Sequence, residues 1–69
     1  MRFGQTVYTV NEKTNEVEEW EYVNVFYTVF GKLAHLRNGE KFCFTSLNRL
    51  YETYLDAWAS TKIEHIFLN

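Results

Sequence analysis

The stretch Val17–Phe30 constrains the fold of this chain more than any other. It is rich in β-branched and aromatic residues and lacks Ala and Leu, a composition that favours strand. Trp20, Val23, Tyr27 and Phe30 also fit helical spacing, but the composition decides for a strand. Its early part puts Trp20 and Tyr22 on one face and Glu19 and Glu21 on the other. Its later part groups Val23, Val25, Tyr27 and Val29 against Asn24, Phe26, Thr28 and Phe30. The apolar parity switches near Tyr22–Val23, so the strand is predicted to bend, bulge or break there.

The remaining segments supply partners for this strand. Gln5–Val10 reads as a first strand, and Asn11–Glu16, with no apolar residue, as an exposed loop. Gly31-Lys32 is the expected turn into a third strand, Leu33–Arg37. Asn38-Gly39 is a strong hairpin signal, fitting a type I′ turn with positive φ at both residues. Lys41–Thr45 is the returning strand, with Phe42 and Phe44 on a face expected to be core. Thr53 and Asp56 resemble a capping box, which opens a short helix over Tyr54–Ala59, ending near Ser60; the alternative is a longer helix from Ser46, with Leu47, Leu50, Tyr54 and Trp58 as one stripe. Lys62–Leu68 reads as a closing strand. The order β-β-β-β-α-β predicts a mainly β fold with one short helix, a small SH3-like antiparallel barrel. The alternative is an open α+β sheet with the helix across one face.

A chain of 69 residues builds a single domain, here 1–69. Its 19% aromatic content excludes intrinsic disorder. One cysteine, Cys43, excludes an intramolecular disulfide framework. No apolar run approaches the ~20 residues of a membrane-spanning helix, and the first residues lack a signal-peptide core. The expected setting is cytoplasmic and reducing. No cofactor is implied: isolated glycines make no phosphate loop, and neither His35 nor His65 sits in a metal-ligand motif. Cys43, between Phe42 and Phe44, reads as a small buried hydrophobe rather than a nucleophile. The chain is therefore expected not to be an enzyme.

The opening Gly4, Val7, Tyr8 and the later Leu50, Tyr51, Thr53, Ala57 carry a resemblance. With these motifs the chain resembles a class of short uncharacterised bacterial and phage proteins. That resemblance implies a barrel-like fold and a phage or mobile-element setting, and it carries no catalytic residue.

Charge and aromatics give the candidate surfaces. Residues 11–22 carry a net charge of −4 and residues 31–51 a net charge of +3. Glu19, Trp20, Glu21 and Tyr22 alternate carboxylates with large aromatics. They are the expected partner-binding site, with hot-spot area between charges that steer a basic partner. Lys32, Arg37, Lys41 and Arg49, with Tyr27, form the alternative ligand-binding set, since bases stack on aromatics while cations hold phosphates. The leading expectation is a binding protein that occupies a surface of another macromolecule, such as a phage-encoded inhibitor of a host defence protein. The alternatives are an oligomer that sequesters a nucleotide-like ligand and a nucleic-acid accessory module. So small a chain without staples is also expected to form a homo-oligomer. Trp20, Tyr22, Phe26 and either Tyr54 or Trp58 are the expected exposed aromatics.

Overall fold

The computed structural model describes the backbone of residues 1–68 and the side chains of residues 1–62. Four antiparallel strands follow one another as a meander: β1 (Thr6–Val10), β2 (Val17–Thr28), β3 (Gly31–Asn38) and β4 (Lys41–Ser46). A 3-10 turn at Leu47–Arg49 and a helix, α1 (Tyr54–Leu68), complete the described residues. The protein is mainly β, with an open four-stranded sheet and one helix; the sheet is not closed into a barrel.

The parity switch in β2 is a β-bulge. The register with β3 runs Glu21↔Arg37 and Tyr22↔Leu36, then resumes at Asn24↔His35, which leaves Val23 as the extra residue. The insertion keeps Trp20, Tyr22, Val25 and Tyr27 on one face although their spacing breaks strict alternation. On that face Val7, Tyr22, Ala34 and Leu36 form the buried core, with Trp20, Val25, Cys43, Leu47 and Leu50 packed around it. Phe3 closes one end, its ring edge-on to Tyr22 at 5.2 Å.

Two turns differ from expectation by a residue or two. Asn38 pairs with Lys41, so the β3–β4 loop is Gly39-Glu40 rather than Asn38-Gly39. Of Gly39 and Glu40 only Gly39, at φ 63°, takes positive φ. Glycine alone at the first central position suits a II′ turn, not I′. At the β2–β3 end Thr28 pairs with Gly31, so the loop is Val29-Phe30 rather than Gly31-Lys32. Thr28 Oγ1 holds it by donating to the Gly31 carbonyl at 2.8 Å and accepting from the Phe30 N–H at 3.1 Å.

The closing strand does not form. Thr53 caps α1 by accepting the Asp56 N–H at 3.1 Å, and the helix then runs through Lys62–Leu68 without interruption. No Gly or Pro lies between Tyr54 and Leu68 to end it. Ser60 and Thr61 turn their hydroxyls back onto the Ala57 and Trp58 carbonyls, so neither side chain breaks the helix. The segment after β4 instead reaches β1 by a single bridge, Tyr8↔Tyr51. The helix packs beside β1, where Tyr54 meets Tyr8 edge-on at 5.9 Å.

Candidate protein-binding surface

The sheet face opposite the core is only half covered. Its β1 side carries Tyr8 and the helix. Its β3–β4 side presents Phe26, Leu33, His35, Phe42 and Phe44, positions that alternate with the core residues of the same strands. His35 stacks on Phe44 with ring centroids 4.9 Å apart and planes at 21°. Phe26 and Phe42 flank that stack, 5.9 and 6.2 Å from Phe44. Phe42 and Phe44 are 66% and 52% exposed, which corrects their expected place in the core. The physical reason is register: Cys43, not its neighbours, is the residue of β4 that faces Leu36.

The β2–β3 hairpin extends this surface. The chain up to β1 pairs with β2 only as far as Tyr22, and β4 pairs with β3 only from Leu33 onward. Tyr27–Lys32 therefore form a two-stranded tip that reaches about 10 Å beyond the Phe26–Leu33 pair, with Phe30, Gly31 and Lys32 across a groove of ≈ 310 Å³ from Ser46, Leu47 and Asn48. At its end Val29 and Phe30 are 94% and 97% exposed. Hairpin loops ordinarily use Gly, Asn or Asp for their backbone freedom. Two bulky apolar residues there gain nothing from burial in this chain. Behind them the Lys32 ammonium sits over the Tyr27 ring at 5.3 Å.

Glu19, Trp20, Glu21 and Tyr22 do not form one surface. Tyr22 is 5% exposed, a core residue. Trp20 is half-buried on the same face, and its indole N–H donates to Thr9 Oγ1 at 3.0 Å. Glu19 and Glu21 lie on the opposite face, where Glu21 takes an ion pair from Arg37 at 3.1 Å. Of the expected exposed aromatics, Phe26, Tyr54 and Trp58 are exposed, and Trp20 and Tyr22 are not.

Nor are the basic residues brought together. Lys32 lies at the β2–β3 tip, whereas Lys41 flanks the turn at the other end of β3. Arg37 is held by Glu21, and Arg49 by Glu12 of the β1–β2 loop. Arg49 lines a groove of ≈ 320 Å³ with Val10, Asn48, Tyr51 and Ser60, but its guanidinium is already paired there. The two charge blocks of the sequence thus partly neutralise each other within the chain.

Burial, with a smaller contribution from the Glu18 carboxylate, pushes the Cys43 thiol above its ordinary value, the wrong direction for a nucleophile. Among the described residues no group of three or more His, Cys, Asp or Glu is placed to hold a metal ion. No helix of the described residues is long and apolar enough to cross a membrane. The chain matches no protein-family model, and no curated protein or solved structure matches it.

The sequence signal for this surface was present but unspecific. Phe26, Phe42 and Phe44 alternate in strands that bury one face only, and the sequence does not say which parity is buried. The Val29-Phe30 loop follows from the register, which the sequence pattern set two residues too late.

Proposed function

We propose that this chain is a non-enzymatic binding protein that acts by occupying a surface of another macromolecule. The supporting observation is the projecting hairpin, whose two loop residues Val29 and Phe30 are almost fully exposed. Contiguous exposed apolar surface of this kind marks interaction sites. The tip would enter an apolar pocket on a partner protein. Tyr27 supplies hot-spot area at its base, and Lys32 favours an acidic rim. The Phe26–His35–Phe44 cluster would lie against the ground around that pocket. In the phage setting implied by the sequence resemblance, the partner is a host protein blocked by occupation of its surface. An SH3-like relationship also belongs to this reading: the Tyr8↔Tyr51 bridge brings the chain after β4 back to β1, as a small barrel would.

The nucleotide and nucleic-acid readings draw less support, because two of their four cations already hold glutamates. Phe30→Asp and Glu21→Lys separate the surfaces. Capture of a partner by the parent protein and by Glu21→Lys, but not by a folded Phe30→Asp, is the expected result. Loss with Glu21→Lys alone would return the working surface to the acidic strand.

A further inference from the structure

β4 is the last strand of the sheet, and among the described residues no backbone group pairs with its outer edge. The two-residue Gly39-Glu40 loop fixes which groups face outward. Its closing pair, Asn38↔Lys41, exchanges hydrogen bonds, so Lys41, Cys43 and Thr45 bond to β3. The N–H and C=O of Phe42 and Phe44 then point to the open edge. Proteins usually guard such an edge with Pro, a bulge or a charge in mid-strand. Phe42–Ser46 has none of these, and its register with β3 is unbroken over all six pairs. The edge is a template for an extended strand.

We propose that this edge pairs with β4 of a second copy, antiparallel across a twofold axis at Cys43, joining two sheets into one of eight strands. This goes beyond the partner-binding reading and does not depend on it, since the β2–β3 tip lies away from the axis.

Self-complementarity selects a second copy. With Cys43 opposite its own mate, Phe42 faces Phe44 of the partner subunit on both sides of the axis, and these are the residues whose backbone groups point outward. Aromatic cross-strand pairs stabilise sheets. In the same register Lys41 meets Thr45 of the partner subunit, so no like charges oppose each other. Shifting the axis toward the turn would set Glu40 against Phe44. Shifting it the other way would set Phe42 against Ser46. Phe42 and Phe44, 66% and 52% exposed, are the side chains that this pairing brings together.

Sedimentation equilibrium over a wide concentration range tests this on the whole chain, with three variants checked for fold by circular dichroism. Phe44→Lys places a charge in the edge, and Phe44→Pro removes an N–H that β3 does not use. Either is expected to weaken dimerisation about tenfold or more. Phe26→Lys alters the same face away from the edge and is expected to leave the dimer intact. Diamide is expected to link the parent dimer through Cys43, because facing residues of a non-hydrogen-bonded pair lie ~4.5 Å apart at Cα. A parent protein that stays monomeric overturns the proposal. So does a dimer that survives both folded Phe44 variants, or one lost in folded Phe26→Lys, which would mean stacked faces instead of a shared edge. A dimer without the Cys43 link overturns the register.

Discussion

Tyr8 and Tyr51 exchange both backbone hydrogen bonds, Tyr8 N–H to the Tyr51 carbonyl at 2.8 Å and the reverse at 2.9 Å. This bridge pairs the outer edge of β1 at Tyr8 and ties down the segment that carries Leu47 and Leu50, which pack against the core. Tyr51→Pro deletes one of the two donors and is expected to cost about 1–3 kcal/mol in urea unfolding. Tyr51→Phe keeps the backbone and is expected to change much less. Equal stability of Tyr51→Pro and the parent would show that the bridge contributes nothing.

Gly39 sits at φ 63°, a region that a β-branched side chain resists. A Cβ there would meet open space, so the cost of substitution is conformational and not a clash. Gly39→Val is expected to destabilise by about 1–2 kcal/mol, and Gly39→Asn by less, because Asn tolerates this region. Thermal unfolding that ranks Asn no better than Val would contradict the turn assignment.

The Trp20 indole is anchored inward by Thr9. Thr9→Val removes the acceptor at nearly constant volume and is expected to cost about 1 kcal/mol. It is also expected to shift the tryptophan emission. An unchanged spectrum and unchanged stability would put Trp20 back on the surface as a partner contact.

Cys43 holds its proton above the ordinary thiol range because it is partly buried and near Glu18. Iodoacetamide is therefore expected to modify it more slowly than an unfolded control near pH ~8.5. Since the folded thiol keeps a proton that the unfolded chain releases, its contribution to stability is complete below that pH and is lost as pH rises above it. Cys43→Ser is expected to lack this alkaline loss, to cost about 1–3 kcal/mol and to retain binding. A folded Cys43→Ser protein without binding would assign the thiol a function.

Much of the sheet was legible because it depends on local rules. The switch of parity at Tyr22–Val23 is the bulge itself, and the Thr53 cap marks the start of the helix. What failed was decided by tertiary context. Lys62–Leu68 has strand composition, yet it continues a helix already nucleated at Tyr54. Phe42 and Phe44 looked like core because aromatics in alternation usually are, whereas the smaller Cys43 fits against Leu36. For the acidic strand, strict alternation already placed Glu19 and Glu21 opposite Trp20 and Tyr22. One surface made of all four was incompatible with the strand geometry from which it was drawn.

The β2–β3 tip is the surface through which the chain is proposed to work. Phe30 is 97% exposed, so Phe30→Asp is expected to leave stability within about 0.5 kcal/mol of the parent. The most direct measurement places a photo-crosslinking side chain at position 30, and at Lys13 in the exposed β1–β2 loop as a control, in cells that make the protein. Mass spectrometry then identifies the adducts. A defined adduct with another protein is expected from position 30 and none from position 13. No adduct from position 30, or the same adduct from both positions, would contradict it.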